Sequence, residues 1–588
     1  MLSNNILYDG REAPPLDPIP LRAGPLSLIL LDGDLRYVRL GDREIIRRIY
    51  VAVRDPNWGT VPGTISNRVM DVRDETFRIT YEVEHRQGPI DFAWSATIDG
   101  RADGTLTFTM DGTARTTFRR NRIGFCVLHP MTCAGQPCRV KHTDDTLTRG
   151  RFPWRIAPHQ PFKDIRTFSH RVEPDVWAQV EFEGDVFEME DQRNWTDASY
   201  KIYSTPLARP FPVTVEAGTK IIQTITLRLE GAPSRHRATA QPEPLRIQVT
   251  GDPIGSLPRL GLGSASHGQR LSEEELDRLK ALNLQHLRAD CHLREADALD
   301  DLARVASEAD DLGIGLEAAL LFSNDRGAEL ARLTRGLQAL NPPVTQWLIF
   351  DENEPTTPAS LIQTVRPHLK AYEPKAPIGG GTNAYFTELN RNRPSMEDLD
   401  LVGYSLNPQV HAFDNLSLIE TVKTQGVTVA SARAFTGDLP LAVTPVTLKP
   451  RFNVSATEPE SEPDPDELPP PVDVRQMSLL GAAWTVGSLK YLAEAGVHSI
   501  TYYETTGWRG VMARPDGPPL PSKFPAPAGA VYPLYHVLRW AGEFAKGDVL
   551  PVSSTDQLRV DALALQLGKR RRLLLANMTG EEVTVTVQ

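Results

Sequence analysis

Gln346-Trp347-Leu348-Ile349-Phe350-Asp351-Glu352-Asn353-Glu354-Pro355 is the stretch whose reading decides the fold. A mostly apolar run of five residues leads into a cluster of three acids, and proline stops it. An apolar run that ends abruptly in polar residues reads as a buried parallel strand delivering side chains to the carboxyl edge of a sheet. In a (β/α)₈ barrel that edge carries the chemistry. Glu354 is therefore a candidate catalytic group, with Asn353 beside it as a candidate donor to substrate.

The surrounding sequence supplies the other strands. Residues 232–258, rich in Pro, Arg and Gln, read as a linker, after which strand and helix patterns alternate as in a parallel sheet. Strand one is Arg259-Leu260-Gly261-Leu262-Gly263, followed by a helix with Leu271, Leu276, Leu279 and Leu282 at helical spacing and a capping box from Ser272 to Glu275. Strands two and three are His286-Leu287-Arg288-Ala289-Asp290 and Ile314-Gly315-Leu316-Glu317-Ala318-Ala319-Leu320. The Trp347 to Phe350 run is the fourth. Strand five is Ile378-Gly379-Gly380-Gly381-Thr382, strand six Leu401-Val402-Gly403-Tyr404-Ser405, and strand seven runs over residues 441–448. A helix over 476–495 leads to strand eight, His498-Ser499-Ile500-Thr501-Tyr502-Tyr503-Glu504. The acidic, proline-laden run 456–471 reads as a solvated loop after strand seven. A helix over 535–544 closes the barrel, and alternating strands within 560–587 make a small terminal β-domain.

The first 230 or so residues read as β. Runs such as Phe77-Arg78-Ile79-Thr80-Tyr81-Glu82-Val83 and Ile221-Ile222-Gln223-Thr224-Ile225-Thr226-Leu227 alternate, with Asp-Gly and Gly-Asp turns between strands. With no long amphipathic helix, this half is expected to be a large β-sandwich. The expected partition is 1–240, 241–548 and 549–588. Two loops, Arg54 to Thr60 around Trp58 and Glu190 to Asp197 around Trp195, gather charge about an indole. An aromatic face edged by hydrogen-bonding groups suits a polyol, so Trp58 and Trp195 are candidate substrate-binding residues. The plainer reading, that each plugs a domain interface, is favoured by frequency; a loop covering the barrel mouth satisfies both.

Composition narrows the function. A chain of 588 residues exceeds one core, and a formal charge of −11 speaks against nucleic acid or an anionic membrane as partner. The start lacks a basic region followed by an apolar stretch, and no run reaches the roughly 18 apolar residues of a membrane helix. Four cysteines in so long a chain make no disulfide framework, and the chain is expected in the cytoplasm. Cys133 and Cys138 could belong to a widely spaced metal site, but buried or spare thiols are the simpler reading.

Asn353-Glu354-Pro355 after a fourth barrel strand resembles the acid/base motif of the large retaining glycosidase clan. In that clan the nucleophilic glutamate ends strand seven, whereas here strand seven runs into Lys449-Pro450-Arg451-Phe452-Asn453. The next candidate carboxylate is Glu504 on strand eight, opposite strand four in the ring and farther away than the roughly 5 Å gap of a retaining pair. Its plain reading is a salt bridge to Arg509 or Lys449, though the lead-in by Tyr502 and Tyr503 favours a site role. Paired carboxylates with basic and amide donors also suit hydrolysis of a sugar lactone. One carboxylate takes a proton from water, the other protonates the ring oxygen, and Arg, Lys or Asn donors hold the oxyanion. A serine esterase has little support, since Ser264-Ala265-Ser266-His267-Gly268 lacks the first glycine of a nucleophile elbow. A metal lactonase has little either: Asp290 and His292 show no third ligand by spacing, and His267 and His292 read as local hydrogen-bonding groups.

Three strings carry a closer resemblance. Arg47 to Asp55 with Asn57-Trp58-Gly59-Thr60-Val61-Pro62, Asp191 to Lys201, and Gly380-Gly381-Thr382-Asn383-Ala384-Tyr385-Phe386 resemble the bacterial D-apionate lactonases, along the whole chain and its three-part layout. The resemblance implies opening of D-apionolactone to D-apionate in catabolism of the branched pentose D-apiose, and it supplies no catalytic set. The site expected from the barrel reading is Glu354 and Glu504 as catalytic groups, with Asn353, Tyr404, Lys449, Arg451, Trp58 and Trp195 on the substrate. No cofactor and no metal are expected, and the partner is a small sugar lactone. A glycoside hydrolase acting through paired glutamates is the second reading, and a catalytically silent sugar-binding protein the third.

Overall fold

The computed structural model describes residues 2–231, 244–459 and 464–588. Residues 232–243 of the linker and 460–463 of the acidic run lie outside the described residues. The N-terminal half is an antiparallel sheet of sixteen strands. Its strands show period-2 burial where one face meets solvent: along Phe77–Gln87, Phe77, Ile79, Tyr81 and Val83 point inward. The sheet doubles back so that its inner faces pack together. Tyr81 donates to the carbonyl of Gly33 at 2.6 Å, the rings of Phe108 and Phe125 stand 4.9 Å apart, and the Gln223 side chain accepts from the Phe125 amide at 2.9 Å. Each fully buried Phe, Leu or Ile there contributes on the order of 1.5–3 kcal/mol.

The strands Arg43–Arg54 and Arg122–Pro130 break this alternation, because their outer face is covered as well. Tyr50, Ala52, Cys126, Leu128 and Tyr203 form a second buried cluster on that face. What covers this side of the sheet is the barrel. Arg36 and Arg48 both reach Asp414, Tyr37 donates to Glu420, and the Asn390 amide donates to Asn194 at 2.9 Å.

The barrel is closed and wholly parallel. Its strands are β1 (Arg259–Gly263), β2 (His286–His292), β3 (Gly315–Phe322), β4 (Val344–Asp351), β5 (Ile378–Tyr385), β6 (Leu401–Leu406), β7 (Leu441–Val446) and β8 (Ser499–Glu504). All eight fall where the sequence places them. β2 to β6 extend one to three residues further toward the mouth, and β7 ends two residues early. Ser272 and Glu275 form the expected capping box at the head of Glu273–Lys280. Inward and outward residues alternate: Trp347 and Ile349 of β4 face the helices, while Gln346 faces the axis and donates to Glu317 of β3 at 2.7 Å. Glu317 also lies 4.0 Å from Arg288 and accepts from Thr444, so the interior carries a satisfied polar layer.

The terminal β-domain recruits chain from before the barrel. Arg246–Val249 pairs with Val552–Ser554 and Thr586–Val587, and Gly255–Ser256 pairs with Asp548–Leu550. These residues precede β1 and fall in the segment the sequence partition gives to the barrel.

Candidate functional site

A cleft of about 1160 Å³ opens between the sandwich and the carboxyl end of the barrel. The sandwich wall presents Arg54, Trp58, Arg122, Glu190, Trp195 and Lys201, and the barrel wall Tyr385, Arg391, Gln409, His411, Lys449 and Arg451. Local geometry fixes several of them. Asp55 accepts from the amides of Asn57 and Gly59 at 2.8 and 2.7 Å, a turn that holds Trp58 at φ +66°. For so bulky a residue that conformation costs on the order of 1–3 kcal/mol, offset by its surroundings. The indole lies 5.0 Å from the ring of Phe211, with the Arg122 guanidinium 5.5 Å from its centre.

Beyond Trp58 lies a tighter polar group. Glu190 accepts from the Trp195 indole at 2.7 Å, pairs with Lys201 at 2.9 Å and stands 3.6 Å from Arg391. Burial alone would raise its carboxyl, but Lys201 and Arg391 outweigh it and hold Glu190 below the usual carboxylate range. Next to it, Nδ1 of His411 meets Oδ2 of Asp197 at 2.7 Å. Burial drives the imidazole well below its ordinary value, with Lys201, Arg54 and Arg391 adding to the effect. Burial pushes the Asp197 carboxyl well above the usual carboxylate range, and the opposing pull of Lys201 does not offset it. The imidazole is therefore neutral at pH 7. In the tautomer that carries its proton on Nδ1, directed at Asp197, the other ring nitrogen is a free base. His411 sits in the loop after β6, two residues past Gln409, whose amide is fixed by the Leu448 carbonyl, Asp473 and Arg475, each at 2.6 Å.

Of the residues expected from sequence, Trp58, Trp195, Lys449 and Arg451 line this cleft. Arg451 donates to Asp290 at 3.2 Å and to the Asn383 carbonyl at 2.6 Å. Glu504 is elsewhere. It lines a smaller neighbouring cavity of about 320 Å³, where one carboxylate oxygen accepts from the Ser266 amide and hydroxyl at 3.0 and 2.9 Å and the other meets Arg509 at 3.1 Å. Glu354 and Asn353 are exposed on the loop after β4 and border neither cavity. The three acids at the end of β4 go separate ways: Asp351 pairs with Arg326, and Glu352 with His292 at 2.8 Å and Arg294 at 3.4 Å. Placing Tyr404 at the mouth is corrected, because its parity on β6 turns the ring into the helix layer. There its hydroxyl meets Thr428 at 2.9 Å and its ring packs against Phe386. Asp290 is held by Arg288 and Arg451; burial would raise it, but the two guanidinium groups bring it down to about 2. His267 bonds to Thr506 and the Gln269 amide.

Comparison with known proteins addresses the whole chain. Models of the D-apionate lactonase N-terminal domain, TIM barrel domain and C-terminal immunoglobulin-like domain match residues 6–232, 260–546 and 557–588. The chain belongs to the D-apionate lactonase family. A relative from Brucella anthropi described as a D-apionate lactonase is 32% identical over 600 residues, spanning 99% of this chain and 96% of its own. Among solved structures, an α-L-arabinofuranosidase of Bifidobacterium longum aligns with a TM-score of 0.42 at 13% identity, over 59% of this chain and 88% of its own. A GH30 endoxylanase of Clostridium papyrosolvens aligns with a TM-score of 0.35 at 12% identity, over 56% and 84%.

The strings that carry the family resemblance converge in space. Arg54, Asp55 and Asn57 to Thr60 of the first, Trp195 and Lys201 of the second (Asp191 to Lys201) and Tyr385 of the third come from separated parts of the sequence and border one cleft. Sequence reading passed over His411, Asp197, Glu190 and Lys201 as chemical groups. Asp197 and Lys201 stood inside a quoted string. His411 carried no motif, and only the contact between domains gives it a partner.

Proposed function

We propose that this chain opens D-apionolactone to D-apionate in the cleft between sandwich and barrel, in the cytoplasm. The observation that carries the reading is the meeting of residues from the three family-bearing strings in the cleft lined by His411, whose ring is held by Asp197. In the proposed reaction a water lies against the free nitrogen of His411. As its oxygen bonds to the lactone carbonyl carbon, the imidazole takes its proton, and Asp197 steadies the imidazolium that forms. Charge developing on the carbonyl oxygen faces Lys201, whose ammonium is held in place by Glu190 and exerts the largest charge effect on both members of the pair. Collapse of the tetrahedral adduct breaks the bond to the ring oxygen, and the imidazolium returns its proton there. Trp195 and Glu190 suit the hydroxyl-bearing face of the sugar: one offers a ring face, the other carboxylate lone pairs. The four cysteines are buried free thiols, which supports a reducing compartment, and no helix of the described residues is long and apolar enough to cross a membrane.

The test is proton release by the purified chain supplied with D-apionolactone, beside a panel of aryl glycosides. One proton per lactone opened, with no aryl alcohol from the glycosides, is the expected result. Turnover confined to the glycosides would restore the glycosidase reading. Against that reading, β7 and the chain after it carry no carboxylate before Glu458.

A further inference from the structure

The cleft holds more positive charge than a neutral lactone uses. Six cationic side chains line it (Arg54, Arg122, Lys201, Arg391, Lys449 and Arg451) against three acidic ones, Asp55, Glu190 and Asp464. Lys201 and Arg391 answer Glu190, and Arg451 answers Asp290. Among the described residues, Arg54, Arg122 and Lys449 form no ion pair. Arg122 is 3% exposed and donates only to main-chain carbonyls, of Asn121 at 2.7 Å, Pro206 at 2.8 Å and Arg209 at 3.3 Å, and its Nε has no partner. Arg54 likewise spends its donors on the Trp58 and His411 carbonyls and the Thr60 hydroxyl. Lys449 lies on the barrel wall just past β7, and among the described residues its ammonium makes no hydrogen bond. The carboxylates nearest these three, Asp197, Glu188 and Asp473, stand beyond ion-pair distance of them, and Asp473 already answers Arg475. A cation so weakly compensated in a partly dehydrated cleft favours an anionic ligand. The cleft also exceeds the ~300–1,000 Å³ of ordinary small-molecule sites, so a five-carbon lactone leaves part of it open.

We propose that Lys449, in the cleft that Arg122 and Arg54 also line, forms a carboxylate subsite beside the His411 centre, and that the chain also hydrolyses lactones of sugar diacids. The inference rests on the lactone-hydrolase reading. Water bonds to the lactone carbonyl carbon, the bond to the ring oxygen breaks, and that oxygen leaves as a hydroxyl. The second carboxylate so formed releases one proton, while the carboxylate already present stays on Lys449 unchanged.

The test compares D-glucaro-1,4-lactone, which carries a carboxylate, with neutral D-galactono-1,4-lactone of the same size, and D-apionolactone serves as the reference. The expected kcat/KM ratio of charged to neutral hexonolactone is about tenfold or more, falling steeply with added salt. Lys449→Gln and Arg122→Gln should each lower that ratio about tenfold. Circular dichroism checks folding, and Lys449→Gln alone carries the test if the Arg122 variant does not fold. A ratio near one, or one unmoved by Lys449→Gln, overturns the subsite. Calorimetric binding of D-glucarate to the wild-type chain, weakened about tenfold by Lys449→Gln, reads the subsite without catalysis. Its absence also overturns the proposal. Failure to open D-apionolactone while glucarate still binds at Lys449 instead overturns the lactonase reading.

Discussion

Oδ2 of Asp197 and Nδ1 of His411 lie 2.7 Å apart across a domain boundary, the first on the sandwich and the second on the loop after β6. Neither domain alone contains the pair, so it forms only when the sandwich docks on the barrel. Replacing His411 by Gln should lower kcat for the lactone about 10²–10⁴-fold, the usual worth of a positioned general base. Asp197→Asn should also cost at least about tenfold, because the amide cannot stabilise an imidazolium as a carboxylate does. Proton-release kinetics on both variants, with circular dichroism as the folding check, reads the outcome. Wild-type rates in His411→Gln would move the base elsewhere.

The same burial that neutralises His411 sets two pH dependences. A base acts when deprotonated, and burial has lowered this one below 6.5, so kcat/KM should stay level from pH 8 through 6.5 and fall only at lower pH. For stability, His129 and His411 are lowered well below 6.5, and His170 and His286 to about 3, in each case chiefly by burial. The unfolded chain therefore binds more protons below pH 6.5. The stability these groups contribute is complete above that value and is lost progressively from pH 6.5 toward 3, at up to ~1.4 kcal/mol per pH unit for each imidazole. Urea unfolding should show a lower midpoint at pH 5.5 than at pH 7.5. An equal or higher midpoint at pH 5.5 would show that the carboxyls raised by burial, Asp197 and Glu317 among them, which work in the opposite sense, outweigh these imidazoles.

Why the barrel was readable and the site was not follows from what each depends on. β4 carries the apolar run Trp347-Leu348-Ile349-Phe350 and β8 the β-forming run Ile500-Thr501-Tyr502-Tyr503, each bounded by Pro or Gly signals, so composition and length locate them without tertiary knowledge. Tyr404 failed on parity, since one residue's shift along β6 moves a side chain from axis to helix layer. Glu354 stands away from the cleft because it lies three residues beyond the end of β4, on an exposed loop. The Asp197–His411 contact joins residues 214 apart in the chain, and no local pattern records such a meeting.

Trp195 and Glu190 should separate binding from chemistry. The indole nitrogen donates to Glu190 at 2.7 Å while the ring borders the cleft. Trp195→Phe keeps a ring face and removes one charge-assisted hydrogen bond, worth about 1.5–3 kcal/mol, part of which Lys201 and Arg391 continue to supply to Glu190. The expected result is KM raised about three- to tenfold with kcat changed less than about threefold. Glu190→Gln also frees Lys201, so kcat should fall as well. Equal effects of the two variants on kcat would remove the distinction.

Glu354 and Glu504 finally distinguish a lactonase from a glycosidase working through paired carboxylates. Glu354 is exposed and borders neither cavity, so Glu354→Gln should leave lactone hydrolysis within about threefold of wild type. Glu504 is 8% exposed and closes two contacts, to Ser266 and to Arg509. Its replacement by Gln weakens both and leaves the Arg509 guanidinium without its carboxylate. Stability should therefore fall by about 1–3 kcal/mol, while kcat, set in the neighbouring cleft, falls less than about fivefold. A paired-carboxylate enzyme behaves oppositely: either substitution would remove about 10²–10⁴ in kcat. Measuring both kcat and the urea midpoint decides between them. Intact folding with a thousandfold loss in both variants would return the chemistry to the two glutamates and take it from His411.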